Sequence, residues 1–322
     1  MTRSICIIGA RGYVAEELIK LVLKHDDLTI KYVGSRGNAG QLVDEILPSL
    51  AGKGIKFDHI SPENVTDYPA DLYVLAVPNG VAADYADALK DMDCGIIDLS
   101  YDHRFDENWD YGLTEKNRQA LQGSKKVSNP GCYATGAQFG LLPIIDQLAA
   151  SPVVFGVSGY SGAGRTPSDK NNPDRLKENF LPYALTGHGH EAEISHHLGY
   201  EVSFIPHVAP HFRGISLTIQ FALKTPSSAE ELLALYQDYY ADEPLIKVQT
   251  DIPEVSSTAD SAAVKIGGFK MDTRTATKGI IIVTLDNLMK GAASQALQNI
   301  NLMLGLPELK GINPEPKGMN DG

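Results

Sequence analysis

The chain has 322 residues, is 43% hydrophobic, and carries 28 Lys and Arg against 40 Asp and Glu, a formal net charge of −12. That length exceeds what one core usually fills, so two domains are expected, and the acidic balance excludes a general basic face for nucleic acid or an anionic membrane. Three cysteines without regular spacing make no disulfide framework and point to a reducing compartment. No apolar run approaches transmembrane length and no targeting segment precedes Ser4, so a cytoplasmic location is expected.

The first third alternates strand and helix signals, the pattern of a parallel sheet with helical crossovers. Residues 4–8 form an apolar strand, 14–23 an amphipathic helix and 28–33 a second strand; 71–77 and 95–99 repeat the buried-strand signature. Cys6 and Cys94 fall in such runs and read as small hydrophobes. Between the first strand and helix stands Gly9-Ala10-Arg11-Gly12-Tyr13-Val14-Ala15, a turn able to present backbone N–H groups to a pyrophosphate, with Ala15 in the place of a third glycine. At the end of the second strand an NAD site usually offers an acidic residue to the ribose hydroxyls, whereas here Ser35 and Arg36 offer a hydroxyl and a guanidinium. Arg36 suits a 2′-phosphate, so NADP(H) is the expected dinucleotide; a solvated loop arginine is the plainer alternative.

Residues 128–136 read Ser-Asn-Pro-Gly-Cys-Tyr-Ala-Thr-Gly. Pro130-Gly131 forces a turn and the small residues beyond Cys132 begin a helix, so this sulfur faces the positive end of a helix dipole, a setting that lowers a thiol pKa. Cys132 is therefore the candidate nucleophile. Beyond Thr135 the strand-like stretches 153–158, 202–205, 215–221 and 280–285 are more alternating, as in a mixed sheet covered on one face. The expected fold class is α/β: a Rossmann-type parallel-sheet domain over 1–131, joined by a C-terminal helix within about 287–322, and an α+β catalytic and oligomerisation domain over 132–286. Residues 168–173 read as a surface loop, 291–304 as a helix and 314–322 as a frayed tail.

Two other signatures fail on inspection. Gly159-Tyr160-Ser161-Gly162-Ala163 ends in alanine where a hydrolase elbow needs glycine, and Gly162-Ala163-Gly164-Arg165-Thr166 lacks the lysine of a P-loop. In residues 187–197, rich in His and Glu, Ile194 stands where a zincin needs histidine, so no metal is expected. A histidine just before a helix and able to reach a thiolate fits a general acid/base; His190 is the candidate, with His188 as the alternative, while His196 and His197 belong to the helix surface.

Taken together, Gly9-x-x-Gly12-Tyr13, the segment from Asp98 to Arg104, Asn129-Pro130-Gly131-Cys132-Tyr133, the segment from His188 to Ile194 and the segment from Asn287 to Ala296 resemble the N-acetyl-gamma-glutamyl-phosphate reductase family of the semialdehyde dehydrogenase superfamily. These motifs span nearly the whole chain; Gly189 departs from the arginine many members place between the two histidines. The resemblance implies NADPH-dependent reductive dephosphorylation of N-acetyl-gamma-glutamyl phosphate in arginine biosynthesis, through a thioester on Cys132 with His190 as acid/base. It also implies cofactor contacts from Gly9, Arg11, Gly12, Tyr13, Val14, Ser35, Arg36, Pro78, Ser100 and Asn287, and substrate contacts from Arg104, Asn129, Glu193 and Arg213. The partners it implies are the acyl phosphate, inorganic phosphate and further copies of the chain in a dimer or tetramer. A reductase acting on N-acetyl-aminoadipyl or aspartyl phosphate, a non-catalytic NADP(H)-binding regulator, and a zinc-binding protein built on the histidine cluster are the alternatives that the sequence leaves open.

Overall fold

The computed structural model describes residues 2–313; the expected frayed tail at 314–322 lies outside them. In chain order the first segment contains β1 (Arg3–Ile8), α1 (Tyr13–Val22), β2 (Leu28–Gly34), α2 (Val43–Ile46), β3 (Leu72–Leu75), α3 (Ala82–Ala88), β4 (Gly95–Asp98), β5 (Asp110–Tyr111), α4 (Thr114–Leu121) and β6 (Lys126–Ser128). There follow α5 (Cys132–Leu141), β7 (Leu148–Gly159), α6 (Pro173–Leu176), β8 (Leu181–Pro182), α7 (Gly189–Leu198), β9 (Ser203–Ala209), β10 (Ile215–Leu223), α8 (Ala229–Tyr239), β11 (Ile246–Val248), β12 (Val264–Met271), β13 (Lys278–Leu285) and α9 (Ser294–Met303). Two compact units result, one running to Pro130 and taking in Ala292–Ile312, the other covering Gly131–Gly291.

In the first unit six strands form one sheet in the order β2-β1-β3-β4-β6-β5, and every pairing is parallel. Continuous apolar runs such as Ile5-Cys6-Ile7-Ile8 and Leu72-Tyr73-Val74-Leu75 make these strands, since both faces are covered and no polar alternation is needed. α1 buries Ala15, Leu18, Ile19 and Val22 against one face together with Ala296, Leu297 and Ile300 of α9. Because all six strands run the same way, their carboxyl ends, and the loops that follow them, lie along one edge.

The second unit holds a mixed sheet in the order β11-β12-β13-β10-β7-β9-β8. Along β10 buried and less buried residues alternate, the period-2 pattern of a sheet packed on one side. The packed side receives α5, which is buried almost throughout. Two glycines set that contact: a Cβ on Gly136 would lie 2.7 Å from Leu285 Cδ2 and 2.8 Å from Leu217 Cδ1, and one on Gly140 would lie 2.3 Å from Ile219 Cδ1. The helix therefore sits closer to the sheet than any side chain at those positions allows.

Residues 291–304 were expected to be one regular helix. Instead Met289–Ala293 forms a π-helical turn that feeds into α9, whose residues are all buried rather than presenting a polar face. The wider turn places Gly291 where its missing side chain matters, as the site shows.

Candidate active site

Cys132 is the first residue of α5, and Gly131 before it is extended (φ −71°, ψ 151°). The turn is held from two directions: Gly131 N–H donates to Glu193 Oε1 at 2.8 Å, and Thr135 Oγ1 donates back to Gly131 O at 3.0 Å. Glu193 is fully buried, so α7 supplies a carboxylate beneath the nucleophile turn rather than a group lining the cavity. On the other side the π-helical turn abuts the same residue, since a Cβ on Gly291 would fall 2.7 Å from Cys132 Cβ. Cys132 is partly exposed, whereas Cys6 and Cys94 are buried. Burial, and then the charge of Asp58, push the Cys6 thiol up to about 12, and burial raises Cys94 as well, so neither competes as a thiolate.

A cavity opens in front of Cys132, lined by Ser158, Gly162, Lys170, Tyr183, His188 and His190 among others. Its wall is aromatic: the Tyr133 ring meets His190 edge-on at 5.7 Å, and Tyr183 and Phe204 flank His188 at 5.5 and 5.2 Å. Burial first, and then the negative charge of Cys132, raise the Tyr183 hydroxyl far above its ordinary range, so it stays protonated and able to donate.

The histidine immediately before the helix is His188, not His190. His188 is the N-cap of α7 and its Nδ1 accepts from His190 N–H at 3.1 Å; His190 stands in the first helical turn. The sequence pattern reads one residue pair too late because a histidine is an uncommon cap, Ser, Thr, Asp and Asn being the usual ones. His196 is exposed and His197 partly so, on the helix surface as expected.

This cap has a pH signature. Burial foremost, and then the Lys170 ammonium, lower the His188 pKa from 6.5, with Glu191 and Glu193 opposing. A depressed folded-state pKa gives stability that is fully present above the unfolded value near 6.5 and is lost as pH falls through the folded value. Thermal melts of the wild type are therefore expected to lose Tm below pH 6.5, with the cap itself worth ~1 kcal/mol. His188→Asn, which keeps a cap acceptor that does not titrate, is expected to flatten that part of the pH profile.

Arg213 and Asn287, from the same unit, do not line the cavity. Arg213 pairs with Asp260 and, through Nε at 3.1 Å, with the buried Asp286. Asn287 Oδ1 accepts from Gly214 N–H at 2.6 Å and Nδ2 donates to Ser161 Oγ at 2.9 Å. Asn287 thus fastens the loops that carry Ser161 and Gly214, and Arg213 ties the segment before Gly214 to Asp260 and Asp286.

The remaining candidates belong to the first unit, where the parallel sheet gathers them along its carboxyl edge. Gly9 (φ +83°) turns the chain out of β1, and a Cβ there would come within 2.3 Å of Ala76 O. Gly12, the N-cap of α1, has nothing within 4 Å of a Cβ position, which leaves open space beside the start of the helix. Ser35 is buried with its hydroxyl on Asn38 Oδ1 at 3.2 Å, while Arg36 is exposed over the Tyr85 ring at 5.7 Å. This cradle fits a dinucleotide: two small residues allow close approach to a pyrophosphate at a helix N-terminus, and a cation stands at the end of β2.

Exposed Pro78 follows β3, and buried Ser100 follows β4 with its hydroxyl on Asp98 Oδ2 at 2.9 Å. Asp102 joins these two loops by accepting from Gly80 N–H at 2.6 Å and Ala82 N–H at 2.9 Å. Arg104 is buried, its Nε donating to Asn129 O at 3.1 Å, and Asn129 Oδ1 accepts from Asn299 Nδ2 at 3.1 Å. Arg104 and Asn129 thus meet directly.

Lys170, Tyr183 and Gly291 were not foreseen from the sequence. Among the described residues no group of three or more His, Cys, Asp or Glu is arranged to hold a metal ion, and no helix is long and apolar enough to cross a membrane.

Comparison with known proteins agrees with this arrangement. Residues 4–124 match the family described as semialdehyde dehydrogenase, NAD binding domain, and residues 132–287 match semialdehyde dehydrogenase, dimerisation domain. The chain is 48% identical over 312 residues to the N-acetyl-gamma-glutamyl-phosphate reductase of Xanthomonas axonopodis pv. citri, covering 96% of this chain and 98% of that one. It is 48% identical over 317 residues to that of Xylella fastidiosa, covering 98% and 96%. Among solved structures, aspartate semialdehyde dehydrogenase II from Vibrio cholerae superposes with a TM-score of 0.77 at 17% identity, over 95% of this chain and 99% of that one. Aspartate semialdehyde dehydrogenase with NADP from Candida albicans gives 0.71 at 17%, over 94% and 100%; at such identity both speak for the fold alone.

Proposed function

Since the chain belongs to the N-acetyl-gamma-glutamyl-phosphate reductase family of the semialdehyde dehydrogenases, an oxidoreductase family, we propose that it reduces N-acetyl-gamma-glutamyl phosphate with NADPH, through a covalent intermediate on Cys132. The observation that carries this reading is the accessible cysteine at the first turn of α5, facing two imidazoles across one cavity. The Cys132 thiolate attacks the acyl carbonyl, the carbon–sulfur bond forms, and the carbon–oxygen bond to phosphate breaks with its electron pair leaving on the phosphate. Bound NADPH supplies the hydride that reduces the resulting thioester. His190 protonates the oxygen of the hemithioacetal on Cys132 and takes that proton back as the adduct collapses, so that the carbon–sulfur bond breaks, the semialdehyde forms and the sulfur returns as thiolate. Protonated Tyr183 and the N–H groups at the start of α5 are suited to hold the developing oxyanion.

Arg104 and Asn129 are assigned to the substrate, together with Arg213 as an organiser of the loops around it, and Glu193 acts through the Gly131 turn. Gly9, Arg11, Gly12, Tyr13 and Val14 would hold the pyrophosphate, Ser35 and Arg36 the 2′-phosphate, and Pro78, Ser100 and Asn287 the rest of the cofactor side. The second unit is assigned to assembly into a dimer or tetramer, in keeping with the family description of residues 132–287, and the enzyme to the cytoplasm. The acyl group is taken as N-acetylglutamyl because the full-length relatives bear that name.

The test is the reaction run in reverse, with N-acetylglutamate semialdehyde, phosphate and NADP, following the reduced nicotinamide. Phosphate-dependent activity that prefers this aldehyde to aspartate semialdehyde and the aminoadipate homologue is expected; activity confined to another aldehyde would move the substrate, and silence with all three would favour a regulator. Arg36→Ala is expected to raise KM for NADP about ten- to a hundredfold while leaving NAD nearly unchanged, the loss of a charge-assisted contact to phosphate. Equal effects on both dinucleotides would remove the 2′-phosphate assignment.

A further inference from the structure

Lys170 belongs to the stretch between β7 and α7 that the sequence marks only as a surface loop, yet its side chain lines the cavity in front of Cys132. Its backbone is fixed. Asp169–Asn171 forms a single 3-10 turn in which Asn171 Oδ1 accepts from Ser168 N–H at 2.8 Å. Asn171 Nδ2 donates to Gly164 O at 2.9 Å and Thr166 O at 2.8 Å, tying the turn back to the loop after β7. From there the Lys170 ammonium lies over the face of the Tyr183 ring, with Nζ 4.8 Å from its centroid.

Among the described residues the ammonium lacks an anion. The neighbouring carboxylate, Asp169, faces Arg175 at 3.8 Å, and among the described residues no carboxylate pairs with Lys170. Among the described side chains lining the cavity, Lys170 carries the one ammonium or guanidinium; the other basic groups there are the imidazoles of His188 and His190. Positive charge beside His188 also works against a second cation there. A lysine held on an aromatic face in the lining of the cavity before Cys132, with no carboxylate partner among the described residues, is a waiting half of an ion pair.

We propose that Lys170 is a substrate-binding residue that receives the phosphoryl group. This rests on the reading of Cys132 as the nucleophile toward an acyl phosphate, and deepens it. The substrate has two anionic ends, a phosphoryl group joined to the carbon under attack and a more distant carboxylate. The phosphoryl group carries the larger charge and gains more as the carbon–oxygen bond breaks, so a compact ammonium near the sulfur does most there. In the reverse direction the same side chain would gather inorganic phosphate before it attacks the thioester.

The experiment measures the reverse reaction of the full enzyme with each of phosphate and semialdehyde varied in turn, for the wild type, Lys170→Met and Lys170→Arg. Lys170→Met is expected to raise KM for phosphate about ten- to a hundredfold with KM for the aldehyde within about twofold, and Lys170→Arg to recover most of the loss. A rise confined to the aldehyde would assign Lys170 to the carboxylate and overturn the phosphoryl assignment. Unchanged constants, or an equal loss on both substrates that arginine does not restore, would overturn the proposal altogether. A wild type without phosphate-dependent activity would instead overturn the reading of the reaction, and does so before any variant is made.

Discussion

Cys132→Ser is expected to lower the reverse activity by at least about a thousandfold, with the dissociation constant for NADP unchanged. The geometry gives the reason. The sulfur stands at the first residue of α5, its turn pinned by Glu193 and Thr135 and its flank pressed by Gly291, so a hydroxyl would occupy nearly the same place. What is lost is the nucleophile, since a serine hydroxyl has a far higher pKa than a thiol and stays protonated at neutral pH. The decisive measurement is phosphate release from the acyl phosphate in the absence of nicotinamide: the wild type is expected to give a burst close to one equivalent, and Cys132→Ser none. A burst that survives the substitution would reject the thioester route.

Gly9→Ala is the second large effect, and it concerns a different unit. The residue sits at φ +83°, where an L side chain costs about 1–2 kcal/mol, and the added Cβ meets backbone, Ala76 O at 2.3 Å, rather than the yielding end of a side chain. A total of about 3 kcal/mol or more is expected, read as a fall in Tm of roughly 5–10 °C, together with weakened NADP binding. Gly12→Ala is the matched control. Nothing lies within 4 Å of its Cβ position, so the melt should shift by no more than about a degree while NADP affinity is expected to fall, because the methyl group would take the space that the proposed site gives to the pyrophosphate. If Gly12→Ala binds NADP as the wild type does, the dinucleotide does not lie against this turn.

The contrast between these two glycines shows what a sequence discloses. That Gly9 and Gly12 form the turn between the first strand and the first helix was legible, because they fall between a continuous apolar run and an amphipathic helix. Which of them is required by the fold, and which is left open for a ligand, depends on Ala76, more than sixty residues away. The parallel strands were legible for the same reason as the turn: strands buried on both faces are written as uninterrupted apolar residues. Cys132 was legible because Pro130-Gly131 and the small residues beyond it are local signals.

Lys170 and Tyr183 were not, since neither lies beside Cys132 in sequence and a lysine in a polar loop carries no periodicity. Glu193 was read as facing substrate and instead serves Gly131, an assignment that only the packing of α7 against α5 decides. The π-helical turn at Met289–Ala293 left no trace in the pattern either, because Met289, Gly291, Ala292 and Ala293 are small or apolar residues that an ordinary helix also uses.

One consequence follows from Gly136 and Gly140. Where α5 meets the sheet, methyl groups are missing from the helix and supplied by Leu217, Ile219 and Leu285. The proposed nucleophile is thus carried on a part whose seat was machined to fit, and a protein engineer seeking heat resistance would find that seat closed to the usual remedies of added bulk or higher helix propensity. Variation tolerated by the enzyme should concentrate instead in the loop after β7, where residues can change the acyl groups accepted without shifting the sulfur. Libraries drawn from residues 164–187, with Lys170 and Tyr183 held fixed, are therefore the place to look for new substrates, and α5 the sequence to leave untouched.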